Sequence, residues 1–240
     1  MKENYIYPNV PEIIGEIVQE MVSATSGTID LLSTAGGVTT ISTDAGLLQP
    51  GQQVVIAEQL YTVIEVTHLG FDVDGELPIG LVGSAWELYV SYDFGHLKEI
   101  NDKINSPDAQ LSLPMVWLML DVQQSQNLQP PTWGTASVRI AIIAESERDI
   151  DAGYRLNNTF ANQLEPLRMK FEKALYSDVA KKYLYLAPGE RFEIDSYNRY
   201  FYGSADKNKN TLGATITDAI ELSFEINLRA NKQCKTLKIK

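Results

Sequence analysis

Apolar residues recur along this chain with two periods, and the switches between them mark its parts. Between Asn9 and Ser23 the period is helical: Ile13, Ile14, Ile17, Val18, Met21 and Val22 form one stripe. Asn9 reads as the N-cap with Glu12 three residues on, and Pro11 falls in the first turn, where its missing N–H costs nothing. From Thr25 the period drops to two. Short β-rich runs follow at Thr28–Leu32, Val38–Ser42, Gln53–Ala57, Leu60–Thr67 and Phe71–Val73. Turn residues separate them: Gly36-Gly37, Asp44-Ala45-Gly46, Pro50-Gly51, Gly70 and Asp74-Gly75. In the fourth run, Leu60, Thr62, Ile64 and Val66 make the more apolar face, which is expected to point inward.

Beyond residue 85 strands and helices alternate. Trp86, Leu88, Val90 and Tyr92 predict one strand, and Leu97, Ile100 and Ile104 a short helix ended by Pro107. Met115 to Val122 is apolar on both faces, which fits a strand covered by helices on one side or by a partner on the other. After a polar, proline-bearing loop from Gln123 to Thr132, Val138, Ile140 and Ile142 begin the next strand. Asp151 is a good N-cap for a long helix with Phe160, Leu164, Leu167, Phe171 and Leu175 on one face. Pro166 predicts either a kink there or two helices meeting. Finally Ile220, Leu222, Phe224, Ile226 and Leu228 alternate with Glu221, Ser223, Glu225, Asn227 and Arg229, the pattern of a half-buried antiparallel strand.

These elements predict an α+β chain with a mostly antiparallel sheet and helices packed on one face. Residues 1–24 and 91–240 form that domain, discontinuous in sequence. Residues 25–90 form an inserted small SH3-like β-barrel, because five short strands with tight turns suit such a barrel.

Composition bounds the function. The chain has 240 residues, 44% of them hydrophobic, enough for a core without staples. Cys234 is the only cysteine, so no intramolecular disulfide forms. No apolar run reaches membrane-helix length, and the N-terminus does not read as a signal peptide. Charge is uneven: residues 3–97 hold 13 acids and no Lys or Arg, whereas the remainder holds 18 acids and all 20 bases. Phosphate contact needs Lys and Arg, so the acidic half is not expected to bind nucleic acid.

Candidate chemistry is sparse. Asp72, Asp74, Gly75 and Glu76 faintly resemble a calcium loop, but the register puts Gly70 and Leu81 at ligating positions, and an Asp-Gly hairpin turn fits better. His68 and His96 have no metal-spaced neighbour and no nucleophile motif, and His96 reads as a helix-start residue. Glu145, Glu147, Asp149 and Asp151 cluster after a strand, where a solvated loop leading into a helix explains them. The sequon Asn157-Asn158-Thr159 reads as chance. No catalytic residue, cofactor site or metal site is expected.

Tyr197, Arg199, Tyr200, Phe201 and Tyr202 form an aromatic cluster with one cation, the composition of interface centres. A strand with one face in the core accounts for the cluster equally well. Stacking on single-stranded nucleic acid is a third option, weakened by the acidity of the chain.

Read in order, the segments YPNVPEIIGEIVQEMV, FGHLKEINDKINSP, LPMVWLMLDV, SVRIAIIAES, DAGYRLNNTFANQLEPLRMKFEKAL, YNRYFYG and DAIELSFEINLR resemble the tail-completion or tail-terminator proteins of tailed bacteriophages, the neck and head–tail connector group. The β-rich insertion departs from a minimal member. The resemblance implies a structural virion protein without enzymatic activity, made in the host cytoplasm and placed at the head–tail junction or in the tail. It implies a homo-oligomeric ring, hexamer or dodecamer, that helps join head to tail beside portal, neck or tail-tube proteins. DNA would pass its lumen without specific binding, and no membrane is involved. Trp133, Arg199, Tyr200, Phe201 and Tyr202 are the candidate subunit or partner interface. The alternative is a non-catalytic adaptor that binds a protein or glycan through the β-module.

Overall fold

The computed structural model describes residues 4–6, 9–45, 48–104, 113–120, 123–126, 133–146, 151–186, 191–197, 216–229 and 231–233. The chain is mixed α and β, and its sheets are mostly antiparallel.

Helix α1 (Val10–Ser23) buries the whole predicted stripe, with Pro11 in its first turn. Asn9 takes the N-cap place with extended backbone, yet its side chain makes no cap bond. The capping-box expectation fails there, and the Asn9 carbonyl instead accepts the Ile13 N–H at 3.1 Å. Before α1, β1 (Asn4–Ile6) pairs with β16 (Asn231–Gln233) near the other end of the chain.

Among the described residues the acidic region carries seven strands, not five: β2 (Ser26–Thr28), β3 (Leu31–Ala35), β4 (Val38–Ser42), β5 (Gln53–Ile56), β6 (Gln59–Thr67), β7 (Gly70–Asp74) and β8 (Ala85–Leu88). Their order across the sheet is β2-β8-β5-β6-β7-β4-β3. Two features explain the difference. The first predicted strand bends at Ile29–Asp30, so that β2 pairs with β8 and β3 pairs with β4. The predicted strand Trp86–Tyr92 is also divided: β8 stays in this sheet, and β9 (Ser91–Gly95) joins the second one. Its alternation is continuous because Trp86, Leu88 and Tyr92 all pack on the same apolar cluster from two different sheets.

The inward face of β6 is the reverse of the expected one as far as its bulge. Leu60 and Ile64 are exposed while Val63 is buried. Before the bulge Tyr61 and Val63 face the core; the bulge between Val63 and Glu65 shifts the phase by one residue, so that Val66, on the expected face, packs inward beyond it. Asp74-Gly75 is no hairpin either: it ends β7, with Gly75 N–H donating to the Gly37 carbonyl at 2.8 Å, and a 3-10 turn (Ile79–Leu81) leads to β8. Gly70 is obligatory at the tip of β6–β7, since a Cβ there would stand 1.8 Å from the Ile41 carbonyl oxygen at φ +153°.

The second sheet runs β13-β15-β12-β10-β9. Its members are β9, β10 (Met115–Met119), β12 (Trp133–Ser146), β13 (Leu184–Tyr185) and β15 (Ile216–Arg229). β11 (Gln123–Gln126) pairs beside β12, and β14 (Glu193–Tyr197) beside β15. Strands β12 and β15 pair antiparallel along all 14 residues. Among the described strands only β9 and β10 are parallel, with α2 (Leu97–Ile104) between them in sequence.

One face of this sheet (Val116, Leu118, Val138, Ile140, Ile142, Ile220, Leu222, Phe224, Ile226 and Leu228) shares an apolar cluster with α1, Phe171 and the module residues Phe71 and Trp86. The opposite face gathers Met115, Trp117, Met119, Ala141, Ile143 and Ala219 around Ile100 of α2. Helices therefore meet both faces. This is why Met115–Met119 is apolar throughout and fully buried.

The long helical stretch has three parts: α3 (Ala152–Arg155), a π-helical segment (Leu156–Leu164) and α4 (Glu165–Leu175), followed by the short α5 (Ala180–Tyr183). Phe160, Leu164, Leu167, Phe171 and Leu175 are all buried, as their spacing predicts. Pro166 sits in the first turn of α4, directly after Glu165 donates its N–H to the Phe160 carbonyl five residues back. The turn width changes at the residue that has no N–H to place, so the change leaves no donor orphaned.

Candidate functional site

The most developed concavity among the described pockets lies where the acidic module meets the helical stretch. Three consecutive module residues make this junction. Gly51 lets Gln163 approach so closely that a Cβ would meet its Nε2 at 3.2 Å. The Gln52 Oε1 accepts from Lys170 Nζ at 3.0 Å. Gln53 faces a cleft of about 510 Å³, lined also by Thr62, Leu113, Pro114, Glu145, Ser146, Tyr154, Asn158, Thr159 and Gln163.

Two buried polar arrangements flank this cleft. Arg155 Nη1 donates to Ser146 Oγ and to Asp218 Oδ1, both at 2.9 Å, and both charged side chains are almost fully buried. This ties the start of the helix to the ends of β12 and β15. Lys170 is also buried, and desolvation lowers its pKa from 10.5 to about 8. Its amine is still mostly protonated at neutral pH, and its one hydrogen-bond partner among the described residues is a neutral amide oxygen. Gln52 Nε2 and Gln53 Oε1 are buried without hydrogen-bond partners.

No family model, curated protein or solved structure matches this chain.

Of the residues singled out by sequence, Arg199, Tyr200, Phe201 and Tyr202 lie outside the described residues. Trp133 begins β12 opposite Arg229, and its side chain is likewise outside them. His68 is exposed in the β6–β7 turn. His96 starts α2, its backbone N–H held by Glu99 Oε2 at 2.6 Å, as a helix-start residue should be. Asp151 Oδ1 accepts the Tyr154 N–H at 2.7 Å and caps α3. Glu145 ends β12 at the cleft, while Glu147 and Asp149 lie outside the described residues. Among the described residues no group of three or more His, Cys, Asp or Glu could hold a metal ion, and no helix is long and apolar enough to cross a membrane.

Sequence reasoning passed over Arg155, Asp218, Lys170 and the glutamines. Two of these carried a signal. Asp218 is in phase with Ile220 and Leu222 on the inward face of β15, and Lys170 falls three residues after Leu167 on the buried stripe of α4. A charged residue in phase with a core stripe is the mark of a buried ion. Arg155 gave no such signal, because π-helical spacing breaks the 3.6 period that would have placed it.

Proposed function

We propose that this chain is a structural subunit of a tailed-bacteriophage head–tail connector or of the head-proximal end of the tail, working as a homomeric ring and not as an enzyme. The observation that carries the reading is the order of elements: α1, then β9–α2–β10, then β12 leading through the helical stretch to β15, at the segments that resemble the tail-terminator group. In this reading β2 to β8 form the inserted SH3-like barrel, and the α1–α4 side of the second sheet is the helical layer of the terminator-like domain.

Surface character supports a subunit made for packing. Leu31, Leu69 and Ile79 on the module are 60%, 66% and 79% exposed, and Leu156 and Met169 on the helical stretch are 63% and 62% exposed. Head-to-tail contacts between identical subunits close into a ring when their rotation closes. The acidic half then has a physical role if it faces the lumen, where phosphates passing through would be repelled and not retained. Adjacent portal, neck or tail-tube proteins are the partners on either side.

The test is the mass of the intact protein by light scattering, with negative-stain images, at moderate salt. Rings of six or twelve subunits are expected; a monomer at all concentrations would overturn the reading.

A further inference from the structure

The polar cleft carries chemistry that ring packing does not call for. We infer that the cleft between β5–β6 and the π-helical segment binds a small, neutral, polyhydroxylated ligand of the mono- or disaccharide class. The inference does not depend on the ring, since a free monomer and a ring subunit would carry the same cleft.

The size is right: about 510 Å³ falls within the range of ligand sites. The chemistry narrows the class. Among the described lining residues there is no Lys or Arg, and the one charged group is the Glu145 carboxylate, so a phosphate or carboxylate would find like charge and no counter-charge from them. Among the described residues the aliphatic lining is Leu113 and Pro114, too little for a hydrophobic ligand. What the cleft offers is planar amides from Gln53, Asn158 and Gln163, each a donor and an acceptor at once, beside the hydroxyls of Thr62 and Thr159. A planar amide can span two adjacent sugar hydroxyls, and the ring of Tyr154, half-exposed at the rim, gives a face for the sugar C–H groups.

Three details sharpen the fit. Ser146 Oγ already accepts from Arg155, which leaves its own proton to donate elsewhere. The Oε1 of Gln53 is buried without a partner, and rotation toward a ligand hydroxyl would give it one. The π-helical turn matters too. Asn158 and Gln163 are five residues apart, which in an α-helix would put them about 140° from each other; the i→i+5 turn brings both to the cleft.

The experiment is saturation-transfer NMR on the intact chain with N-acetylglucosamine, glucose and maltose, and with glucose 6-phosphate as the charged comparison. Transfer to at least one neutral sugar at millimolar concentration is expected. Asn158→Ala and Gln163→Ala should each weaken binding about tenfold. Both side chains are partly exposed, so the variants should fold, which thermal melts would check. Lys173→Ala, outside the cleft lining, should leave binding unchanged. Absence of transfer to every neutral sugar, equal or tighter binding of glucose 6-phosphate, or sugar binding untouched by both cleft variants would each overturn the inference. The oligomeric mass of the same samples reads the ring separately.

Discussion

Lys170 shows how one residue can set the pH response of the whole chain. Its amine is buried, hydrogen-bonded to the Gln52 amide oxygen, and its pKa falls from 10.5 to about 8. Between these values the unfolded chain binds the proton and the folded chain does not, so stability rises with pH across that window. Below about 8 the folded state holds the charge at its full cost, on the order of 3 kcal/mol. Tyr92 acts in the opposite sense at the upper end: burial, then Asp93, raises its pKa above 10.0, so its contribution is lost above that pH. Urea unfolding should therefore show stability climbing from about pH 8 to about pH 10, and Lys170→Met should flatten the climb and stabilise the protein at neutral pH. A second residue-scale prediction concerns the β5–β6 turn. Ala57 and Glu58 both have positive φ, 48° and 65°, which the two-residue turn between Ile56 and Gln59 demands. Asn-Gly is the natural pair for such a turn, so Ala57→Asn with Glu58→Gly should raise the unfolding free energy by about 1 kcal/mol.

At the scale of elements, the junction of α3 with the two long strands rests on Arg155 and Asp218. Removing Arg155 alone leaves Asp218 buried without its guanidinium partner, and Arg155→Met should destabilise the fold by about 3–5 kcal/mol in denaturant titration. The double variant Arg155→Met with Asp218→Leu should recover most of that loss, because desolvation of the two charges offsets much of their attraction. Elements were also where sequence reading met its limits. The stripe of α1, the buried face of α4 and the alternation of β15 were legible because each has a single period over many residues. The first half of β6 and the place of Arg155 were not: a bulge changes the phase inside the strand, so no single alternation fits both its halves, and π-helical spacing after Arg155 breaks the period that would have placed it. The expected strand Trp86–Tyr92 divides for another reason. Alternation records which side chains are buried, and it cannot tell that two halves are buried from different sheets.

For the whole molecule, the leading feature is the division of charge. Residues 3–97 carry 13 acids without a Lys or Arg, and the ring proposed above, if it lets DNA pass, should not hold it. Intact protein should fail to retard duplex DNA in a gel at physiological salt; salt-sensitive binding would count against an acidic lumen. The cleft was invisible at this scale from sequence. Its lining comes from β5, β6, the segment before β10, the end of β12 and the helical stretch, about 110 residues from first to last. None of those positions forms a local motif, and neutral amides and hydroxyls are what solvated loops also contain.

By itself the sequence determined the class of the fold, the burial of long single-period elements, the acidity of the first half and the want of any local catalytic or metal-binding motif. Those properties are local or additive: they depend on neighbours along the chain or on simple sums. Only the tertiary structure decided which strands share a sheet, that helices meet both faces of the second one, that Lys170 and Arg155 are buried, and that Gln53, Asn158 and Gln163 surround one cavity. These depend on residues distant in sequence being brought together, and no periodicity records that.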